Sequence, residues 1–209
     1  MNSQAAAAPP PARPLSHRKR DRILAAAQAV FSRSGYHQAN LDDVVRLARV
    51  GRATLYREFG SKDALLLAVV TSGIDDLRDR MVAAVSIEGP PREVFGRAIR
   101  SALSFFDQHR ALARILFLEA RELHDEVVKR YFERYESAKP LASALYLESS
   151  PLCATRSPGE LADVLMYLIA GRVMIWLLKG QPAPLSLDAD FLLEVYIRAL
   201  FGPPPARER

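Results

Sequence analysis

The apolar residues of this chain recur at the spacing of α-helices almost from end to end. Near its beginning, for example, one helical face would carry Ile23, Leu24, Ala27, Val30 and Phe31, which fall at i, i+1, i+4, i+7 and i+8. The sequence contains no run of alternating apolar residues between turn signals, although such alternation is typical of half-buried strands. The sequence therefore predicts an all-α fold of about nine helices without a sheet.

Glycine, proline and capping residues divide the chain into these helices. Gly35 stands where a left-handed helix end is expected, and Asn40 and Ser61 are good N-caps because a side-chain oxygen accepts an orphaned backbone N–H. Pro91 suits the first turn of a helix, whereas Pro140 should kink or divide one. The predicted helices span about residues 18–34, 41–48, 52–59, 62–85, 91–108, 110–123, 125–147, 160–178 and 187–201.

The predicted helices group into two domains. The first three are short, and a tight turn joins the second to the third, which is the layout of a helix-turn-helix. We therefore predict a flexible Ala/Pro-rich arm (1–16), a helix-turn-helix domain (17–62), a larger helical domain (63–202) and a disordered Pro-rich tail (203–209).

Positive charge is concentrated in the first third of the chain. Residues 1–62 hold 11 basic and 4 acidic residues, a net charge of +7, whereas the other 147 residues carry a net charge of −2. Such asymmetry is typical of a polyanion-binding module joined to a nearly neutral body, or else of a merely solvated basic face. Arg13 and Arg18-Lys19-Arg20 either reach a nucleic-acid backbone or minor groove, or simply keep the start of the chain soluble.

The third short helix has a face suited to reading DNA. At about 100° per residue, Leu55 and Phe59 point into the domain. Ala53 and Arg57 lie opposite, flanked by Thr54 and Tyr56. A small residue permits close approach to a groove, Arg can bind guanine O6 and N7 together, and hydroxyls can bind phosphates. The alternative is that Thr54 and Tyr56 only pack or face water.

The segment from Thr54 to Leu65 reads Thr-Leu-Tyr-Arg-Glu-Phe-Gly-Ser-Lys-Asp-Ala-Leu. Together with Phe31 and Gly35-Tyr36, it resembles the DNA-binding domain of the tetracycline-repressor (TetR) family over about residues 18–70. The resemblance implies an all-α homodimeric regulator that binds a double-stranded DNA operator and a small-molecule effector, more often as a repressor. The helical face and the resemblance together indicate these DNA-contacting residues: Asn40, Arg52, Ala53, Thr54, Tyr56, Arg57 and Lys62.

The chain departs from the family pattern in the turn between the second and third helices. Ala48-Arg49-Val50-Gly51 replaces the usual Ala-Gly-Val-Ser. Arg49 therefore stands at the customary turn glycine, where it must tolerate an unusual backbone conformation or change the turn. Gly51 stands at the customary cap, which it can fill only slightly less well than Ser. This departure concerns which operator bases the chain prefers, rather than whether it binds DNA.

The resemblance assigns effector binding and dimerisation to the larger domain. A cavity in it would be lined by some of Phe95, Ile99, Leu103, Phe106, Phe117, Arg121, Tyr131 and Tyr135, although each apolar one could equally be core. The last two helices would pair with their symmetry mates in a four-helix interface. Its candidate residues are Leu161, Leu165, Leu168, Met174, Trp176, Phe191, Val195 and Leu200.

No catalytic arrangement is evident, so we expect no enzyme activity, cofactor or metal. The four histidines are scattered, and the common phosphate-loop, zinc-protease and nucleophile-elbow motifs are absent. The single Cys153 excludes an internal disulfide and a four-thiolate zinc site.

The apolar segment 161–178 is nearly long enough to span a bilayer, but Arg172 lies near its middle. We therefore expect a helix buried by protein, no membrane partner and, without a secretory signal at the start, a cytoplasmic location. Two alternatives to a regulator stay open, namely a helical small-molecule carrier or enzyme and a sequence-indifferent DNA-binding protein.

Overall fold

A computed structural model describes residues 17–119 and 150–202, together with Asp125, Lys129, Glu133 and Glu136. Eight α-helices and no strand are found in these residues, which confirms the all-α fold class. They are α1 (His17–Gln38), α2 (Leu41–Ala48), α3 (Arg52–Phe59), α4 (Lys62–Val85), α5 (Pro91–Gln108), α6 (Arg110–Arg114), α7 (Pro158–Leu178) and α8 (Ala189–Phe201). The predicted arm, the tail and most of the predicted helix at 125–147 with Pro140 lie outside the described residues.

Several helix boundaries differ from the predicted ones. α1 continues past Gly35, whose φ of 71° and ψ of 166° interrupt the helix where its end was predicted. The predicted helix at 110–123 is α-helical only through Arg114, and residues Ile115–Glu119 form a π-helical turn. Ahead of α8, Leu185–Asp188 form a 3-10 turn rather than regular helix. Sequence periodicity does not distinguish these tighter or wider turns from α-helix.

The first three helices share one apolar core. Ile23, Ala27 and Phe31 of α1 are buried against Val44 of α2 and Leu55 of α3. The predicted caps close the ends of these helices. The Asn40 side chain accepts from the backbone N–H of Asp42 at 2.9 Å, and Ser61 does the same for Ala64 at 3.0 Å. These contacts fix the starts of α2 and α4, whereas Gly51 at the start of α3 provides no side-chain cap.

Arg49 occupies the left-handed region in that turn, with φ 52° and ψ 52°. It is the one residue other than glycine with positive φ in the described parts of the chain. The Arg22 guanidinium of α1 donates to the carbonyl of Ala48 at 3.1 Å, which ties the end of α2 to α1. The turn thus holds a residue with a Cβ in a conformation that glycine adopts without a steric penalty.

We expect Arg49→Gly to raise the free energy of unfolding by about 1 kcal/mol, because glycine adopts positive φ without a steric penalty. Urea unfolding followed by circular dichroism measures this change. Arg49→Ala is the matched control, since it removes the same side chain but keeps a Cβ, and it should stay close to wild type. Equal stabilities of the glycine and alanine variants would show that the backbone is unstrained.

The long helix α4 joins the first three helices to the larger domain. Its Gly73 lies against Leu112 of α6 so closely that a Cβ added at Gly73 would fall 2.2 Å from Leu112 Cδ2. The apolar side of α5 is covered, with Phe95, Ile99 and Leu103 buried at the centre of the domain, whereas Arg92, Glu93 and Arg100 on its other side are exposed. α4 and α6 thus approach each other at a fixed point beside α5.

α7 is long and apolar enough to cross a membrane by length and composition alone. Its central Arg172 is satisfied by protein, however, because Nε donates to Asp188 Oδ2 at 2.6 Å and Nη2 donates to Gln181 Oε1 at 3.0 Å. Trp176 donates to the carbonyl of Ala183 at 2.8 Å. α7 also packs against α5, α6 and α8. Only 28% of its most apolar stretch is buried, however, so the single chain does not bury this helix as the sequence led us to expect.

Candidate nucleic-acid interface

The face of α3 that was predicted to read DNA is turned to solvent. Leu55 and Phe59 are buried in the domain core. On the opposite side Ala53, Tyr56 and Arg57 are exposed, Tyr56 with 40% of its surface accessible. Thr54 on the flank is half-buried, and Arg52 at the start of the helix is exposed. A small residue, a phenol and a guanidinium therefore share one accessible surface.

Arg57 is available for an external partner, whereas Arg52 is partly engaged. Among the described residues, Arg57 makes no hydrogen bond or ion pair. Arg52 lies 3.4 Å from Asp42 Oδ1, and its guanidinium stands 5.8 Å from the centre of the Tyr56 ring. The Tyr56 side chain and then the Asp42 carboxylate raise the pKa of Arg52, so it remains charged. This pair orients the phenol beside Arg57 on the same face.

An ion pair between distant parts of the sequence holds α3 on α1. Arg20 Nη1 donates to Glu58 Oε1 at 2.8 Å, and the guanidinium lies 5.0 Å from the centre of the Phe59 ring. For Arg20 the sequence left open a nucleic-acid contact or a solubilising role; in the structure Arg20 lies within α1 and its guanidinium is paired with Glu58 of α3. No local sequence signal could indicate this pair, since its members are 38 residues apart.

Ion pairs take up most of the negative charge of residues 17–62. Besides the Arg20–Glu58 pair, Asp43 accepts from Arg46 at 2.6 Å, and Asp42 is paired with Arg52. Only Asp21 of the four acidic residues forms no such pair with a described residue. The exposed cations without a carboxylate partner, among them Arg18, Lys19 and Arg57, therefore set the potential of this surface.

Lys62 and Asn40 have intramolecular roles at the predicted interface. Lys62 Nζ donates to the carbonyl of His37 at 3.1 Å and lies 4.8 Å from the centre of the Tyr36 ring. Burial lowers the pKa of this half-buried ammonium. Asn40 is exposed but uses its side-chain oxygen to cap α2. Both residues thus hold helix ends in place, and their predicted DNA contacts stay predictions.

The predicted effector-binding residues are buried or outside the described part. Phe95, Ile99, Leu103 and Phe106 of α5 are all at most 2% exposed. Phe117 in the π-helical turn is half-buried and meets the Phe106 ring edge-on, with centroids 5.6 Å apart. The remaining predicted residues lie outside the described residues, namely Arg121, Tyr131 and Tyr135. The resolved geometry is that of a packed aromatic core along α5.

A solvent-open concavity of about 510 Å³ lies elsewhere, along α7. None of the predicted effector-binding residues lines it. Its walls combine apolar side chains with two cations and an amide: Tyr167, Leu168, Gly171, Arg172, Ile175, Lys179, Gln181 and Leu192. Because Arg172 is already paired with Asp188, the concavity presents mainly apolar surface to whatever covers it.

The two last helices carry exposed apolar residues, but not all of those predicted. Leu161, Leu165, Trp176 and Leu200 are buried in the protomer core and are not available to a second copy. Leu161, Leu165 and Trp176 lie on the side of α7 that packs on α5, α6 and α8, and Leu200 lies in α8, which packs on α5 and α7. Of the other predicted residues, Met174, Phe191 and Val195 are exposed and Leu168 is half-buried. Together with further exposed apolar residues they make up what we call the exposed apolar patch: Val164, Tyr167, Met174, Ile175, Leu178, Leu187, Phe191 and Val195. Its α7 members are separated by 3, 7, 1 and 3 residues, so at about 100° per residue they share one face of the helix, a signal that the sequence did contain.

Comparison with known proteins identifies this arrangement. The family model for bacterial regulatory proteins of the tetR family matches residues 23–69, which include α2, α3 and the start of α4. The HTH-type transcriptional regulator BetI of Rhizobium meliloti is 29% identical over 184 residues, covering 87% of this chain and 88% of BetI. The HTH-type regulator YezE of Bacillus subtilis is 30% identical over 66% of this chain and 71% of its own length.

Solved structures share the whole fold. FadR of Bacillus subtilis, crystallised with stearoyl-CoA, superposes with a TM-score of 0.73 at 19% identity, over 88% of this chain and 99% of FadR. A TetR-like transcriptional regulator from Rhodococcus sp. RHA1 gives a TM-score of 0.69 at 24% identity, over 90% and 98% of the two chains. The sequence relatives and the match across the helix-turn-helix show that this chain belongs to the tetR family of bacterial regulatory proteins.

Proposed function

We propose that this chain represses transcription in the cytoplasm by binding a palindromic DNA operator as a homodimer, and that a small-molecule effector releases it. The observation that carries the proposal is the outward face of α3, where Ala53, Tyr56 and Arg57 are exposed together. Arg57 lacks an intramolecular partner among the described residues, so its guanidinium is free to form a two-pronged bond to guanine O6 and N7. Membership of a regulator family supports the same function.

The other residues of this face position the helix. Ala53 lets the backbone of α3 approach the floor of the major groove, and the hydroxyls of Thr54 and Tyr56 bind phosphates. Arg52 and the N-terminal end of α3 add positive potential near the groove. One such helix reads only a few base pairs, so two of them must bind half-sites one helical turn apart to reach useful specificity.

The exposed apolar patch on α7 and α8 supports dimerisation through these two helices. Only 28% of the most apolar stretch of α7 is buried within the single chain, although apolar surface of this extent is normally covered in soluble proteins. A second copy would cover it in a twofold, four-helix arrangement. The symmetric pair would then present two α3 helices to one face of the duplex.

We propose an amphipathic acyl compound as the effector class. FadR of Bacillus subtilis, which shares the fold, was crystallised with stearoyl-CoA. The apolar side chains of α5 that an acyl chain would contact are packed together in this structure, so they would have to separate to admit it. Entry of the effector into the larger domain would tilt α4 and change the separation of the two α3 helices of the dimer. A 100-fold loss of operator affinity requires about 2.7 kcal/mol of coupling. Titration of the protein–operator complex with stearoyl-CoA measures the release, and free coenzyme A is the control.

Selection of bound duplexes from a random-sequence pool, followed by footprinting, tests DNA recognition. The proposal predicts an enriched inverted repeat and two protected half-sites centred about one helical turn apart. A carrier or enzyme would enrich no sequence because it would retain no duplex. A sequence-indifferent binder would retain duplexes without enrichment. Either outcome would overturn the proposal.

We expect Lys62→Ala to weaken binding of all duplexes alike and to lower the salt slope of log K by about one. The reason is that the ammonium at the start of α4 would contact a phosphate, which carries no sequence information. Anisotropy titrations at several salt concentrations measure both quantities. Lys62→Arg, which keeps the charge, is the control and should retain the salt slope. A loss confined to the selected operator would contradict a phosphate contact.

A further inference from the structure

A chain of polar contacts connects the DNA-reading helices to the larger domain. Gln28 Nε2 of α1 lies 3.1 Å from Nδ1 of His109, which stands between α5 and α6. The other ring nitrogen, Nε2, faces Asp76 Oδ2 of α4 at 3.9 Å. One imidazole therefore contacts α1 and α4 at once, across 81 residues of sequence from Gln28.

The groups facing His109 are few and can be named for each element. α4 supplies Asp76 and Arg80, which are joined by two hydrogen bonds of 3.0 and 3.2 Å. α5 supplies the Phe105 ring, 4.5 Å from the imidazole between centroids, and Gln108, which accepts from Arg80 at 3.2 Å. α1 supplies only the neutral Gln28. The imidazole is thus held between one carboxylate, one guanidinium and neutral partners.

His109 is neutral near pH 7 in this setting. Burial lowers its pKa most, Asp76 opposes that shift and Arg80 adds to it. Because the folded pKa lies below the unfolded one, the native state is fully stable above the ordinary histidine pKa of about 6.5 and loses stability as the pH falls through the folded value. Protonation of His109 is therefore linked to a rearrangement around it.

The rearrangement follows from counting donors. The tautomer of neutral His109 with its proton on Nε2 lets Nδ1 accept from the Gln28 NH2 and turns the ring N–H towards Asp76. A second proton at Nδ1 makes both ring nitrogens donors. The Gln28 NH2 then faces another donor, so this contact must open or the amide must turn, while the charged ring is drawn towards the Asp76 carboxylate.

The packing nearby transmits such a change. Gly73 of α4 and Leu112 of α6 are in close contact near His109, and a Cβ at Gly73 would displace the Leu112 side chain. A shift of the His109 end of α6 must therefore move α4 or break this contact. α1 forms the core of the DNA-reading domain, so its hold on His109 bears directly on the orientation of α3.

We propose that His109 is a positioning residue whose contact with Gln28 fixes the DNA-reading domain on the larger domain, and that its protonation releases this contact and weakens operator binding. The inference rests on the proposed DNA-binding function. According to this inference, protonation of the His109 side chain makes the contact between the two domains, and with it operator binding, depend on pH. Couplings of this kind commonly change affinity by about 5- to 150-fold.

The test measures operator affinity of the full-length dimer at about pH 8 and about pH 5.5, on either side of the ordinary histidine pKa. We expect wild type to lose about tenfold more affinity on acidification than His109→Gln, whose neutral amide can still bond to Gln28 at both pH values. His37→Gln is the matched control, since it removes an exposed histidine of the DNA-reading domain and leaves the contact intact. It should keep the wild-type difference.

Amide hydrogen exchange of α1 without DNA provides a readout that does not depend on operator binding. After correction for intrinsic rates, acidification should reduce the protection of α1 in wild type but not in His109→Gln. Identical pH profiles of the two proteins in both measurements would overturn the inference. If wild type bound no duplex at pH 8, the proposed function would fail, and the exchange comparison would still decide whether His109 holds α1.

Discussion

Replacing Tyr167 and Phe191 together by Glu is expected to yield a monomer that binds the operator at least about 100-fold more weakly than wild type. The two side chains are 64% and 67% exposed, and they belong to the apolar patch on α7 and α8. Charges placed on a surface that a second copy covers must be desolvated on association, which is costly without a partner. The monomer then loses the affinity gained from binding two half-sites at once.

Analytical ultracentrifugation and anisotropy titration measure the two effects on the same samples. Ile87→Glu is the matched control, because Ile87 is equally exposed but lies in the connection between α4 and α5, outside the patch. It should leave both the dimer and the affinity unchanged. A double variant that remained dimeric would place the interface elsewhere. A monomer with undiminished affinity would contradict the need for two half-sites.

Arg57→Ala is expected to cost about 1–3 kcal/mol in binding to the selected operator and to relax discrimination at one base pair of each half-site. The physical reason is that only a base-edge contact distinguishes sequences, whereas a phosphate contact weakens all of them. Arg57 is exposed on α3 and free of intramolecular pairs among the described residues, so its removal leaves the domain core intact. The change in specificity should therefore occur without a change in stability.

Titration of the operator and its single-base variants with each protein measures this effect. Arg46→Ala is the control, since it removes a similarly exposed arginine of α2 that is paired with Asp43. We expect it to keep the order of preference among the variants. If Arg57→Ala kept the same order as well, α3 would not read bases through Arg57.

Local signals in the sequence were sufficient to predict the helices of the DNA-reading domain, which comprises α1 to α3. Asn40, Ser61 and the apolar faces predicted the bounds of α2 and α3 and the start of α4 to the residue, because caps and periodicity act over a few residues. The end of α1 was predicted at Gly35, whereas the helix runs to Gln38. The pairing of Arg20 with Glu58 was not predictable in this way, since it depends on how α3 packs against α1. The same limit applies to the contact between Gln28 and His109.

The larger domain was predicted less accurately for a related reason. Leu161, Leu165 and Trp176 were assigned to a dimer interface by size and hydrophobicity, but the packing of α7 buries them within the protomer. Hydrophobicity indicates that a side chain is covered and does not indicate by which partner. Phe95 and Ile99 were assigned to a cavity but are buried in the core. The sequence cannot tell these two cases apart, because the same apolar residue types line cavities and fill cores.

The central claim is that the exposed face of α3, presented twice by a symmetric dimer, recognises a DNA sequence. A competition titration tests it most directly, with the selected inverted repeat bound to the wild-type protein and a scrambled duplex of equal length and composition as competitor. The account predicts that the selected duplex binds at least about 10³-fold more tightly at physiological salt. Equal competition by the scrambled duplex would contradict it.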